Sequence, residues 1–214
     1  MFLIGFFIAV AVIAALAVGL DIAARVVAEH QVATRAKAST GAQSSSASIS
    51  SFPFIYGVLV DGTVKNVTVH ERDVALGPLT VGNLDVSVHD VRIDKGQLFA
   101  HRKVRVTSIS SATASITISA ADITAATHVY VTISGNTVTG FVAGLPIPVA
   151  VTVTRDHFLS FSFDGRPAAS FDLARSPLLP PCAMQLTPEP SALRLSCTVS
   201  PVPASLIAAL SSRS

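Results

Sequence analysis

The sequence contains little charge and no tryptophan. Fifteen basic and 13 acidic residues occur among its 214, whereas half of all residues are apolar. This composition excludes an intrinsically disordered chain, which requires low hydrophobicity and high charge. A net charge of +2, with no long lysine or arginine stripe, argues against a nucleic acid partner. Because polar residues are so few, we expect some apolar surface to face a partner other than water.

Motifs for enzymatic chemistry are also missing. There is no G-x-S-x-G sequence, and the glycines form neither a phosphate-binding loop nor a dinucleotide fingerprint. His70-Glu71-Arg72-Asp73-Val74 begins like a metalloprotease helix but lacks its second histidine. Asp85 and His89 would share one face of a strand, although strand periodicity explains both without catalysis. The sequence therefore predicts a protein that is not an enzyme and has no cofactor or metal; an envelope hydrolase is the weaker alternative.

The chain has a long apolar run near its N-terminus. Nineteen consecutive residues, 2–20, carry no charge and would form a helix of about 28 Å, close to the thickness of a bilayer core. A retained anchor is favoured over a cleaved signal peptide, because the run exceeds the usual length of roughly 7 to 15 residues and no basic segment precedes it. Cleavage after Ala17 would instead give a secreted protein. The predicted organisation is an anchor or signal segment at 1–20 and one domain at 21–214.

The two cysteines, Cys182 and Cys197, indicate the compartment. They flank two short alternating runs, 183–187 and 192–199, around the turn Pro188-Glu189-Pro190-Ser191. A hairpin that is symmetric about the centre of this turn would place the cysteines opposite each other. An oxidising compartment would then join them in a disulfide, and two unpaired buried thiols are the alternative. We therefore expect most of the chain to lie outside the cytoplasm.

A helical pattern follows the apolar run. Residues 21–38 contain neither proline nor glycine, and their apolar residues recur at near-helical spacing. Ser39-Thr40-Gly41 predicts the end of this helix, and the serine run up to Ser48 predicts a flexible connection. We expect one amphipathic helix that leads directly from the membrane to the domain.

From Ile49 onward, apolar residues alternate with polar ones, which is typical of half-buried strands. The alternating runs cover 67–69, 84–88, 104–106, 116–118, 129–133, 138–142, 149–153 and 159–163. Turns are predicted at 134–136, 145–148 and 164–165. A short helix is predicted at 119–127, with Ser119 or Asp122 as its N-cap. This order predicts an α+β fold whose antiparallel sheet, covered by few helices, must curl on itself or hold a ligand.

Several segments resemble one protein family. Residues 49–55, ISSFPFI, and 62–69, GTVKNVTV, are similar to a Gly-Phe-Pro-Phe-Leu segment and the Val-x-Val strand after it in the LmeA-like family of phospholipid-binding envelope proteins of actinobacteria. Residues 84–93 resemble the second strand pair of that family, and 114–123 resemble its strand and short helix. The resemblance covers about residues 21–153, and the proline-rich stretch 177–190 lies outside the family pattern.

This resemblance implies a fold and a function. The family is similar to the tubular lipid-binding superfamily, which includes bactericidal permeability-increasing proteins. The expected fold is a long N-terminal helix wrapped by a highly curved antiparallel β-sheet, to which this chain adds a C-terminal disulfide-linked hairpin. We expect a membrane-anchored, extracytoplasmic phospholipid-binding protein that shelters acyl chains in an apolar groove, for cell-envelope lipid or lipoglycan assembly. A non-catalytic structural or adaptor protein of the envelope is the alternative.

Candidate lipid-binding residues combine the strand pattern with this resemblance. Leu159, Phe161 and Phe163 alternate with serines and share one face of a strand. We expect this face to line the groove; a dry core is the alternative. The other candidate lipid-binding residues are Val26, Phe52, Phe54, Val86 and Val88.

The densest basic cluster provides candidate headgroup contacts. It consists of Arg102, Lys103 and Arg105, next to His101. Cations near an anionic membrane surface contribute about 1 kcal/mol each. We therefore expect these residues to contact headgroups or the membrane, and a solvated turn between strands is the alternative.

Overall fold

The computed structural model describes residues 2–76, 79–101, 103–154, 158–173 and 182–211, and the side chains from Ala17 to Ala208 within those ranges. Its helices are α1 (Phe2–Thr40), α2 (Phe54–Tyr56), α3 (Lys95–His101), α4 (Ala120–Thr127) and α5 (Ala204–Ser211), and a π-helical turn, Gly57–Asp61, continues α2. Its strands are β1 (Ser44–Ile49), β2 (Thr63–Leu76), β3 (Leu79–Ile93), β4 (Val106–Ser119), β5 (Tyr130–Ser134), β6 (Thr137–Val142), β7 (Leu145–Val153), β8 (Phe158–Phe163), β9 (Arg166–Asp172), β10 (Gln185–Pro188) and β11 (Ala192–Val199).

The described strands form two antiparallel sheets. The first has six strands in the order β1-β2-β3-β4-β11-β10, and the second has five in the order β5-β6-β7-β8-β9. The predicted α+β class and the antiparallel pairing are confirmed. The prediction of a single, highly curved sheet is not confirmed, because the described strands form two sheets and neither closes or curls strongly within the described ranges.

One hydrophobic cluster unites the two sheets. It includes the buried Ile116, Ile118 and Leu195 of the first sheet and Leu159 and Phe161 of the second. The second sheet therefore covers the apolar face of the first, which achieves the burial that curling would have provided. Its strands are joined in sequence order by short connections, so they pair with one another instead of extending the first sheet.

Helix α1 runs without a break through the predicted anchor and the predicted amphipathic helix, and it packs on β1, β2 and α2. Glu29 fastens it to β1, because its Oε1 accepts hydrogen bonds from the backbone N–H of Ile49 at 2.7 Å and from Nε of Arg25 at 2.9 Å. Burial favours a higher pKa for the Glu29 carboxyl, but these hydrogen bonds and the Arg25 charge lower the pKa overall. The helix ends at Thr40, before Gly41 with φ +69°.

The anchor prediction concerns residues 2–20, and the side chains of 2–16 lie outside the described residues. Among the residues whose side chains the structure describes, from Ala17 onward, no helix is both long enough and apolar enough to cross a membrane. The predicted domain boundary after residue 20 falls inside α1. Both the anchor and the boundary stay predictions.

The serine run forms a strand, and the flexible connection predicted there is wrong. All six residues of β1 pair with β2, from Ser44 with Arg72 to Ile49 with Val67. The edge of β2 offers backbone N–H and C=O groups that any residue except proline can pair with fully. This pairing, together with the packing of α1, overrides the weak strand preference of serine.

The turn predicted at 145–148 is also wrong, whereas those predicted after β5 and β8 are confirmed. Residues 145–148 begin β7, and the turn before them is Ala143-Gly144, with φ +51° and +81°. Pro146 and Pro148 are tolerated in β7 because it pairs with β8 only from Val149 onward, so the prolines have a strand partner on one side.

The short helix predicted at 119–127 is confirmed as α4, with Ser119 as its N-cap. The Ser119 Oγ accepts the Asp122 backbone N–H at 3.2 Å, and the Asp122 carboxylate accepts the Ser119 backbone N–H at 2.8 Å. This reciprocal arrangement is a capping box, which satisfies two backbone donors at the start of the helix.

Cys182 and Cys197 form the predicted disulfide, with their Cα atoms 5.8 Å apart. The predicted register of their hairpin is off by two residues, because β10 pairs Gln185 with Ser196, whereas the prediction pairs Gln185 with Arg194. Cys182 therefore precedes β10 and reaches Cys197 diagonally. Because β11 also pairs with β4, the disulfide fastens the chain before β10 to an inner strand of the first sheet.

Candidate functional site

An apolar cavity of about 470 Å³ lies beside α1, where the chain around α2 packs against it. Its volume falls in the range of about 300–1,000 Å³ that is typical of small-molecule sites. Apart from Asp21, it is lined by apolar and aromatic residues: Ala17, Val18, Leu20, Phe52, Pro53, Ile55, Tyr56, Leu59 and Val60. A cavity of this composition suits a hydrocarbon chain.

Asp21 builds one wall of the cavity by holding α2 against α1. Its Oδ2 accepts the backbone N–H of Phe54 at 3.0 Å, and its Oδ1 accepts that of Ile55 at 2.6 Å. The carboxylate thus satisfies two N–H groups at the start of α2, as an N-cap side chain does. Just before α2, the Ser51 hydroxyl accepts the backbone N–H of Lys65 at 3.0 Å, which ties the start of this stretch of chain to β2.

Residues 52–60 form the segment that lines the cavity opposite α1, and Gly62 and Lys95 fix its C-terminal end. Gly62 has φ +67° and accepts the Ile93 backbone N–H through its carbonyl at 2.8 Å. A Cβ at Gly62 would lie 3.1 Å from the carbonyl oxygen of Ile93, so the turn requires glycine there. The Lys95 ammonium donates to the carbonyl of Val60 at 2.6 Å. The cavity-lining segment is therefore clamped at both ends.

The mouth of the cavity exposes large apolar side chains to solvent. Phe52 is 71% exposed and Leu20 is 66% exposed, and Tyr56 and Val60 are also exposed. Neighbouring apolar residues that remain exposed are typical of binding sites for lipid or protein. The same end of the molecule therefore combines a cavity with an apolar rim.

Three exposed residues of α1 continue this apolar surface along the helix. Val18, Ile22 and Val26 lie four residues apart and so share one helix face, which we call the α1 row. Val18 lines the cavity. The row therefore runs about 12 Å along α1 from the cavity to Val26.

Of the predicted headgroup residues, Arg105 is connected through the backbone to the Val60 side of the cavity. The Arg105 carbonyl accepts the backbone N–H of Asp94, and Lys95 follows in sequence with its ammonium on Val60. Lys103 and Arg105 are both exposed, while Arg102 lies outside the described residues. Headgroup contact by these residues stays a prediction.

The predicted lipid-binding residues fall in three places. Phe52 lines the cavity, half-buried Phe54 follows it two residues later, and Val26 ends the α1 row. The remaining five belong to or pack against the main core: Val86, Val88, Leu159, Phe161 and Phe163. Phe161 is fully buried, and its ring packs edge-on against Phe171 with centroids 5.8 Å apart. A lipid-lining role for this group stays a prediction.

Sequence reasoning missed Tyr56, Leu59 and Val60 as cavity residues. Their run of apolar residues is typical of a strand, yet it forms a helical turn. The spacing of these three residues, i, i+3 and i+4, was the available signal for one helical face. Asp21 and Lys95 were also missed, because their partners are distant in sequence.

A second cavity, of about 480 Å³, is polar and lies at the β1 edge of the first sheet. It is lined by Ser44, Ser45, Ser46, His70, Glu71, Arg72, Asn83 and Asp85. His70 hydrogen-bonds to Asp85 through Nδ1, but among the described residues no hydroxyl or thiol hydrogen-bonds to this histidine. His89 is elsewhere paired with Asn66. Nor does any group of three or more potential ligands in the described chain suit a metal ion.

Glu71 is the buried acid of this second cavity. Its side chain is on the inner face of β2, and the residue is only 1% exposed. Burial raises the pKa of the Glu71 carboxyl, and the nearby hydroxyls of Thr40 and Ser45 offset this effect only in part. The group therefore favours its neutral form more than an exposed glutamate does.

Comparison with known proteins assigns the chain to a family. No curated protein and no solved structure gives a significant match. The model of the LmeA-like phospholipid-binding family matches residues 19–211, which extends well past the limit near residue 153 that the sequence motifs indicated. The chain therefore belongs to the LmeA-like phospholipid-binding family.

Proposed function

We propose that this protein binds a phospholipid by sheltering acyl-chain carbon atoms in the apolar cavity between α1 and α2. The observation that carries the proposal is an open, almost wholly apolar cavity in a chain of a phospholipid-binding family. Its physiological role in this proposal is to hold lipid for cell-envelope lipid or lipoglycan assembly, without catalysis.

Hydrophobic burial sets how much of the lipid must be covered. Each buried methylene contributes about 0.8 kcal/mol, so ten methylenes give roughly 8 kcal/mol, against association costs of about 4–15 kcal/mol. The cavity alone is therefore insufficient for tight retention. An acyl chain that continues along the α1 row toward Val26 covers further apolar surface, which gives Val26 its proposed role.

Membrane attachment and location belong to the same proposal. Residues 2–20 would insert in the cytoplasmic membrane, and the cavity begins at Ala17, so its mouth would lie at the bilayer surface. The Cys182–Cys197 disulfide supports an oxidising, extracytoplasmic location for the domain. Lipid would then pass between bilayer and cavity without crossing water.

A deeper acyl site is the second location compatible with this function. The core residues Val86, Leu159 and Phe161 would line it if the sheets separated and the first sheet curved more strongly around α1 in the lipid-bound form. The open cavity is favoured because it needs no such separation.

The test is to measure phospholipid bound to the full-length protein after purification in mild detergent. Wild-type protein should retain phospholipid, detected by extraction and mass spectrometry. Leu59→Asp places a charge in the cavity at a partly exposed position and should lose the lipid while remaining folded. Leu145→Asp, at an exposed site in β7, is the matched control and should retain it. Wild-type protein without lipid, or equal retention by Leu59→Asp, would contradict the proposal.

An adaptor function is the competing candidate, and exposed apolar residues of the second sheet favour it. Tyr130, Val142 and Leu145 are all exposed at one end of the β5-β6-β7 strands. If the wild-type protein carries no lipid and a Leu145→Asp variant loses a protein partner in the envelope, the adaptor function replaces the lipid-binding one.

A further inference from the structure

Phe99 and Val104 are exposed apolar side chains outside both cavities. Phe99, on α3, is 63% exposed, and Val104, in the segment that follows, is 61% exposed. The backbone N–H of Lys103 donates to the carbonyl of Gln97, which folds this segment back against α3. Phe99 and Val104 therefore belong to two neighbouring pieces of chain that this hydrogen bond joins.

Cations flank these two residues in the sequence. Lys95, His101, Lys103 and Arg105 are all exposed, and we call this set, with Phe99 and Val104, the α3 surface. Asp94, which precedes Lys95 in the sequence, accepts the backbone N–H of Gln97 through its carboxylate and so caps α3. An exposed aromatic ring among cations matches the chemistry of an anionic bilayer surface, where the ring enters the interface and the cations meet headgroup phosphates.

The α3 surface adjoins the apolar cavity through one side chain. The Lys95 ammonium donates to the carbonyl of Val60, and Val60 lines the cavity. Leu59 and Val60 are themselves exposed at that point. A bilayer that contacts the α3 surface therefore meets the rim of the cavity.

We propose that the α3 surface docks on the anionic surface of a lipid bilayer and thereby holds the cavity against the membrane. Phe99 is the residue that enters the interface, and Lys103 and Arg105 supply the electrostatic attraction. The inference rests on the proposed function for the choice of a membrane as partner, but its test does not depend on lipid in the cavity.

The absence of tryptophan from the chain gives a direct probe of contact. Phe99→Trp in the full-length protein introduces the only tryptophan of the chain, at the α3 surface, and excitation near the red edge of tryptophan absorption avoids the two tyrosines. In vesicles of phosphatidylglycerol and phosphatidylcholine, with part of the lipid brominated on its acyl chains, its emission should move to shorter wavelength and be quenched. Tyr130→Trp, equally exposed but in the second sheet, is the matched control and should show neither change.

Charge reversal tests the electrostatic part. Each cation near an anionic surface strengthens membrane partitioning roughly fivefold. The double variant Lys103→Glu with Arg105→Glu loses two such cations, so its docking should weaken by at least about 25-fold. Quenching of the Phe99→Trp signal should then disappear, as it should in pure phosphatidylcholine. Arg166→Glu, an exposed cation in β9, should leave quenching unchanged.

Unquenched Phe99→Trp in anionic vesicles overturns the docking proposal, even if the protein retains lipid. Quenching that survives both charge reversal and the change to phosphatidylcholine overturns the electrostatic assignment. If the docking signal is present but wild-type protein carries no phospholipid, the proposed function fails and membrane docking stands. Protection of Phe99 by a purified envelope protein instead of vesicles would identify a protein partner and contradict the proposal.

Discussion

The Asp21 carboxylate accepts the backbone N–H of Ile55 at 2.6 Å, across 34 residues of sequence. Asp21 immediately follows the apolar run 2–20, and Ile55 lies in the segment that lines the apolar cavity. The hydrogen bond therefore ties the position of that segment to the start of the polar part of α1. A buried carboxylate here is structural, because it satisfies backbone donors that would otherwise be unpaired.

Asp21→Ala should release α2 and reduce lipid retention. Loss of an N-cap side chain costs about 0.5–2 kcal/mol, and a mobile α2 would no longer hold the cavity open beside α1. Asp122→Ala, which breaks the capping box of α4, should cost a similar amount of stability without affecting lipid. Urea unfolding and lipid extraction on both variants check this; equal lipid loss by both would show that global stability alone controls retention.

Glu71→Gln should remove a pH-dependent contribution to stability. Burial raises the folded-state pKa of Glu71 above its ordinary value of 4.5, so the folded protein binds more protons than the unfolded chain between the two pKa values. Its contribution to stability is fully present below the unfolded pKa and is lost as the pH rises through the folded pKa. Glutamine keeps the shape and cannot ionise, so the variant should be more stable than wild type at neutral pH.

Urea unfolding from about pH 4 to pH 8 measures the effect, since stability follows the difference in bound protons. The wild-type free energy of unfolding, relative to Glu71→Gln, should fall over this range. Asp164→Asn is the control, because Asp164 is in the exposed turn after β8 and asparagine tolerates its φ of +50°. A constant difference between wild type and Glu71→Gln at all pH values would contradict the assigned burial effect.

Sequence periodicity predicted the parts of the fold that depend on local information. Leu84 and Val86 alternate with exposed or half-buried residues in β3, as the period of two requires. The capping box at Ser119 was also readable, because both partners lie within one helical turn. These features follow from neighbouring residues alone.

The missed elements depend on partners that are distant in sequence. Ser44–Ile49 is a strand because β2 offers it an edge, and the strand Arg166–Asp172 likewise completes a sheet by pairing with β8, a partner that the sequence does not specify. The division into two sheets has the same origin, since a period of two fixes a buried face but not what covers it. Of the candidate site, Phe52 was predicted, whereas Asp21 required knowledge of its contact with Ile55.

The Cys182–Cys197 disulfide should stabilise the domain measurably. Closing a loop of about 15 residues restricts the unfolded chain by roughly 3 kcal/mol on the chain-entropy model. The double variant Cys182→Ser with Cys197→Ser should therefore unfold at lower urea concentration. Wild-type protein treated with reductant should behave like this variant, and thiol labelling of unreduced, denatured protein should detect no free cysteine. A wild-type unfolding midpoint that reduction leaves unchanged would contradict the expected contribution.

Phe161→Asp distinguishes the two possible places for an acyl chain. Phe161 has no solvent exposure and packs edge-on against Phe171, so we expect the variant to lose at least the roughly 3–5 kcal/mol of a large-to-small core substitution, and more for a buried unpaired carboxylate. It should fail to fold stably, whatever lipid is present. Phe158→Asp, on the same strand but partly exposed, should fold normally and retain lipid.

The opposite outcome identifies the deeper acyl site. If Phe161→Asp keeps a thermal midpoint close to that of wild type but loses its lipid, the side chain faces an acyl chain in a groove that water can enter when the lipid leaves. Leu59→Asp should then retain lipid, because the open cavity beside α1 would not be the binding site. Measuring thermal midpoint and lipid content on both variants therefore separates a dry core around Phe161 from a lipid-filled one. Only in a sealed core does an unpaired charge lower the free energy of unfolding enough to unfold the domain.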